Sequence, residues 1–137
     1  MISVLGTTGN YVLQPALLEK HSETIDWLSS TILWKSELNA FQKILDERAP
    51  HFTLMEDKRE MDDFQKRIIH YQDGVIDDLR KKLRAHEAQL ASMLESKNEL
   101  NTKYFEEHDG IMGQLLKFSV LFKQFRTEFL ELIRKAR

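Results

Sequence analysis

Residues 111–132 read IMGQLLKFSVLFKQFRTEFLEL. Ile111, Leu115, Phe118, Phe122, Phe125, Phe129 and Leu132 recur at alternating steps of four and three. Side chains at these steps stack on one side of an α-helix, because 3.6 residues make a turn. A half-buried strand would instead alternate in twos. The row is a heptad seam, and Leu116, Leu121, Leu130 and Ile133 widen it. The spacing predicts a helix over about 111–135, the most buried of the chain.

Upstream, His108-Asp109-Gly110 followed by Gly113 predicts a helix stop, since glycine readily takes the left-handed conformation that closes a helix. Before it, Thr53-Leu54-Met55-Glu56 fits a capping box. Met61, Phe64, Ile68, Val75, Leu79, Leu83, Leu90, Leu94 and Phe105 then predict one long helix over 54–107. Two rows in it, Ile68-Leu79-Leu90 and Leu83-Leu94-Phe105, step by eleven and imply a nearly straight apolar stripe. Gly74 weakens it locally by roughly 1 kcal/mol relative to alanine. Ser96-Lys97-Asn98-Glu99 is a second capping box, but continuity is the expectation.

A further helix is predicted over about 15–48. Pro15 suits a first turn, and Ala49-Pro50 ends the run. Trp27, Trp34, Leu38, Phe41 and Leu45 form one stripe, with Leu18, Ile25, Leu28 and Ile32 beside it. Residues 1–14, with Gly6 and Gly9 among short apolar groups, read as a flexible or extended arm. They match no phosphate-loop pattern.

The expected fold is all-α: an elongated antiparallel three-helix bundle, coiled-coil-like, with a long central helix, forming a single helical domain over 15–137. Acidic residues dominate 85–110 and basic ones 111–137, which favours folding the last helix back on its predecessor. Helices of about 50, 80 and 40 Å do not match in length. A second copy covering the excess is the preferred resolution, so a homodimer is expected.

Composition excludes several chemistries. The 137 residues contain no cysteine, so disulfides, thiolate metal sites and thiol nucleophiles are absent. With 20 Lys+Arg against 22 Asp+Glu, there is no global attraction to nucleic acid. No run suggests a secretory leader or a membrane span, and a cytoplasmic location is the default expectation.

Carboxylate-bridged metal bundles carry Glu-x-x-His spacing, which no histidine here has. Leu18, Arg48, Arg67, Leu83 and Phe105 precede His21, His51, His70, His86 and His108 by three, and none is an acid. No metal or cofactor is therefore expected, although a helical-bundle metal-binding protein or metalloenzyme stands as the alternative. His21 and His86 read as partly buried positions beside the apolar stripes, and His51 and His108 as turn residues. The run His86-Glu87-Ala88-Gln89-Leu90 lacks the leucine, lysine and glycine of the histidine phosphotransfer motif. No nucleophile–base pattern is visible, so no catalytic residue is assigned.

Two surfaces remain as candidates. Trp27, Trp34, Leu38 and Phe41 are a candidate partner-binding stripe, since aromatic anchors concentrate at interfaces; core is the competing and commoner role. Arg80, Lys81, Lys82 and Arg84 are a candidate basic patch, but Asp77 and Asp78 lie four residues before Lys81 and Lys82 and suggest a solvated face of ion pairs. The expected function is a non-catalytic structural or adaptor module that binds protein and self-associates, with nucleic acid and membrane not expected as partners.

Overall fold

The computed structural model describes residues 7–8, 11–12, 15–97 and 102–135. Four α-helices carry the fold: α1 (Pro15–Arg48), α2 (Met55–Ile69), α3 (Ile76–Ser96) and α4 (Thr102–Arg134). A 3₁₀ turn, Ala49–His51, follows α1, and a π-helical segment, His70–Val75, joins α2 to α3. In the N-terminal arm, β1 (Thr7–Thr8) and β2 (Tyr11–Val12) pair antiparallel; the rest of the arm lies outside the described residues.

α2, the π segment and α3 act as one rod. α1 runs antiparallel to it, with His21 beside Glu87 near one end and Asn39 beside Gln72 further along. α4 is also antiparallel to the rod, with His108 on His86 and Lys135 on Glu60. α1 and α4 are therefore parallel, and the bundle runs up, down, up.

The start and end of α1 fall where proline places them. The expected stop at Gly110 does not occur: α4 passes through both Gly110 and Gly113. The long central helix ends instead at Lys97, which takes the left-handed conformation with φ 58°. Its N–H bonds the Leu94 carbonyl at 3.2 Å. The physical reason is the seam. Tyr104 and His108 are buried and precede Ile111 at the same four–three steps, so unwinding at Gly110 would expose both. Moving the break N-terminal shortens the rod and lengthens α4 to 33 residues, against 34 in α1. The length mismatch shrinks, with the rod over Met55–Ser96 still the longest of the three, and the original reason for expecting a homodimer weakens with it. Of the second capping box, Asn98 and Glu99 lie outside the described residues.

The first capping box does not form. Leu54 occupies the cap with no side-chain bond, and its carbonyl accepts the Lys58 N–H at 3.1 Å. Thr53 is one residue too early to serve.

The main core joins Trp34, Leu38, Phe41 and Leu45 of α1 to Phe64, Ile68, Ile76, Leu79 and Leu83 of the rod and to Leu115–Leu132 of α4. Phe41 stacks on Phe129 at 4.4 Å, and Trp34 meets Phe118 edge-on at 5.1 Å. Phe122, Phe125 and Phe129 are fully buried, each contributing about 1.5–3 kcal/mol of transfer free energy. A smaller cluster, Leu17, Leu90, Met93 and Tyr104, closes the other end.

Buried positions in α3 (Ile76, Leu79, Leu83, His86, Leu90, Met93) step by three and four. The expected eleven-residue stripe is thus a heptad seam interrupted once. From Ile68 to Ile76 the step is eight rather than seven, and the π segment takes up the extra residue.

The adjoining stripe of α1 is also corrected. Leu18, Ile25 and Ile32 are exposed, and Leu17, Thr24 and Thr31 face inward in their place. On α4, Leu116, Leu121 and Leu130 do not widen the seam but face outward. Nor do the basic residues of α4 neutralise 85–110. Arg126 forks onto Glu37 of α1, Arg67 of α2 reaches Glu128, and Lys135 meets Asp57 and Glu60 of α2.

Candidate functional site: a buried polar layer between the two cores

Between the two apolar clusters lies a polar layer drawn from three helices. His86 of α3 and His108 of α4 occupy seam positions where leucine or phenylalanine stands elsewhere, and both are buried. His86 Nε2 lies 2.9 Å from His108 Nδ1, and His108 Nε2 lies 2.7 Å from Glu23 Oε1 on α1. The half-exposed carboxylate sets the tautomers. It accepts from Nε2–H of His108, which leaves Nδ1 to accept from Nε2–H of His86. His86 Nδ1 is then a buried lone pair, and it has no hydrogen-bond partner.

Tyr104 stacks on His86, with rings 4.2 Å apart and nearly parallel at 6°. Burial, and then the electrostatic cost of a second proton beside the His108 ring, lowers the His86 pKa to about 4. Burial, and then the charges of Glu87 and Glu23, raises the Tyr104 hydroxyl above its ordinary value. Alongside, His21 bonds Glu87, and Thr24 donates to the Lys20 carbonyl at 2.9 Å. The layer is a chain of donors and acceptors from the interior to Glu23. Its members meet end to end rather than around a common point. Among the described residues no three His, Asp or Glu groups are arranged to hold a metal ion. His86 is also inaccessible to a phosphoryl donor.

The sequence candidates are redistributed. Trp34, Leu38 and Phe41 are buried in the chain's own core, and Trp27 packs half-buried against it. They are occupied internally and leave no free anchor. The basic patch divides. Arg80 reaches back to Thr31 Oγ1 at 2.7 Å, and Lys82 turns to Gln114 of α4 at 2.9 Å. Asp77 pairs with Lys35 of α1 at 2.6 Å rather than with Lys81, and that bond lowers its pKa. Lys81 and Arg84 line a groove between α1 and α3 with Ile32, Ser36 and Asn39. Arg80 borders the same groove, together with Lys35 and Asp77, so three of the four cations share one side and only Lys82 turns to α4.

Sequence reasoning missed His108 as an interior residue and missed Glu23 altogether. A test confined to one helix cannot find a cluster assembled from three. The usable signal was the seam itself, which continues at four–three steps from Leu115 through Ile111 and His108 to Tyr104.

No known family, curated protein or solved structure matches this chain. Among the described residues no helix is long and apolar enough to cross a membrane.

Proposed function

We infer that the chain acts as a non-catalytic helical module that binds other protein surfaces. One observation carries this reading: Leu18, Ile25 and Ile32 recur every seven residues on the exposed side of α1, whose inward side is already filled. Scattered surface leucines need no explanation, but a periodic apolar row on a charged protein does. The polar layer fits this role as an interior device. A buried polar position inside a heptad seam fixes register, because any slip would leave it unpaired.

The test is site-specific photo-crosslinking in cells that make the protein. A benzophenone side chain at position 25 should give a protein adduct. The same group at Lys58, exposed on α2, should give little. Equal yields at both positions, or none at either, would count against an interaction surface on α1.

A further inference from the structure

The exposed side of α1 carries a second heptad row. Leu18, Ser22, Ile25, Ser29, Ile32 and Ser36 step by four and three, and all are exposed. Large apolar residues alternate with serines, so a helix laid along the row can approach closely. From Leu18 to Ser36 the row is about 27 Å long.

α3 borders this row on one side. The pairs His21–Glu87, Thr31–Arg80 and Lys35–Asp77 fix the register between the two helices. They set Arg84 level with Ile25 and Lys81 level with Ser29. Ile32 and Ser36 share one groove with Lys81 and Arg84. Ala88 and Ala91 stand seven residues beyond Lys81 and Arg84, and all four are exposed. They continue the same border beside Ser22 and Leu18. One wall of the groove is therefore apolar and small; the other is two cations followed by two alanines.

The unspent charge in this groove has one sign. Asp77 is held by Lys35 and Glu87 by His21, each at 2.6 Å. No ion pair holds Lys81 or Arg84 among the described residues. The exposed Glu95 stands past the row, level with the first turn of α1. The face thus offers no acid of its own opposite Lys81 and Arg84, and it is not its own complement. A flat membrane does not fill a groove between two rods. Two free cations on one border are too few for the several phosphate contacts of a nucleic acid. What fits is a third rod: a helix whose apolar side chains enter between Leu18, Ile25 and Ile32, and whose carboxylates meet Lys81 and Arg84.

We propose that the outer α1–α3 groove docks an acidic amphipathic helix of another protein, completing a four-helix bundle. The partner helix is about 18–20 residues long. Its apolar row faces α1, and its Asp and Glu residues lie on the flank toward α3. The proposal rests on the interaction reading and names the chemistry of the partner.

The experiment selects binders from a displayed library of helices about 20 residues long, randomised along one face, with the purified full chain as bait. Circular dichroism confirms helix content in every variant. Helices recovered on wild type should carry an apolar row at four–three steps, flanked on one side by Asp and Glu. On Lys81→Glu/Arg84→Glu, the same flank should switch to Lys and Arg. A synthetic peptide of the wild-type consensus is then titrated by fluorescence anisotropy. Ile25→Asp should weaken its binding on the order of a hundredfold, and the charge-reversed chain roughly tenfold. Added salt should weaken it on wild type.

Recovery of no helix, or of apolar helices without an acidic flank, overturns the proposal. So does peptide binding indifferent to Ile25→Asp. Sedimentation of the wild-type chain at twice its mass, lost in Ile25→Asp, would give the face to a second copy instead. Binding of DNA or anionic vesicles that Lys81→Glu/Arg84→Glu abolishes, with no helix recovered, would give it to phosphate. If position 25 still crosslinks a different protein in cells after any of these results, the interaction reading survives and only the acidic helix falls.

Discussion

His86 Nε2 and His108 Nδ1 stand 2.9 Å apart inside the bundle, and the second ring passes the contact on to Glu23. Two imidazoles joined this way are stable only while both are neutral or one proton is shared, since two adjacent buried cations repel.

Acid should therefore destabilise the fold in a defined window. The unfolded chain takes a proton on His86 near its ordinary value of 6.5, while the folded chain refuses it down to about 4. Unfolded protein binds more protons in between, so stability is full above that window and declines as pH falls through it. The contribution is roughly 3 kcal/mol by the linkage constant. His86→Gln keeps an N–H donor for His108 and cannot titrate. Urea unfolding at pH 7 and pH 4.5 should show a smaller drop for the variant; equal drops would remove His86 as the source.

The two buried threonines should respond oppositely to valine. Thr24 bonds only the Lys20 carbonyl of its own helix, so Thr24→Val should be neutral or stabilising by a few tenths of a kcal/mol. Thr31 accepts from Arg80 across the α1–α3 interface. Thr31→Val removes that acceptor, leaving Arg80 the Leu28 carbonyl at 3.5 Å, and should cost about 1 kcal/mol in chemical denaturation.

Gly110 and Gly113 offer a test whose sign identifies the helix. A methyl group at either position meets nothing within 4 Å, and both lie inside α4. Gly110→Ala and Gly113→Ala should each stabilise by about 0.5–1 kcal/mol. Were Gly110 the left-handed terminus that its position after His108-Asp109 suggests, alanine there would destabilise instead. Thermal melts of the two variants decide between these arrangements.

Deleting Gly74 should be tolerated. The π segment accommodates one residue more than the heptad needs, and removing one brings Ile68 and Ile76 to the regular step of seven. The expected result is an unchanged helical spectrum and a melting temperature equal to or above wild type. By contrast, Phe122→Ala, at a fully buried site, should cost about 3–5 kcal/mol.

Periodicity made most of the fold legible. The ends of α1 and the seam of α4 follow from proline positions and four–three spacing. The departures share one cause: burial along the seam outweighs local signals. Gly110 permits a left-handed turn but does not demand one, and burial of Tyr104 and His108 decided against it. Lys97 takes that conformation without being glycine, which no propensity announces. Thr24 and Thr31 are polar, yet they hold the inward row with Leu17, Leu38 and Leu45, while Leu18, Ile25 and Ile32 face water. Residue type alone does not say which of two adjacent rows turns inward. The polar layer was invisible for a different reason: its members are separated by 85 positions between Glu23 and His108.

An odd number of rods has a consequence of its own. In a hairpin the chain returns to where it entered; here it enters beside Leu17 and leaves beside Lys135, at opposite ends of the bundle. Whatever is joined ahead of α1 and behind α4 is held about 50 Å apart by a stiff strut. Pulling on both ends would load the helices along their length and shear the aromatic core rather than peel it open.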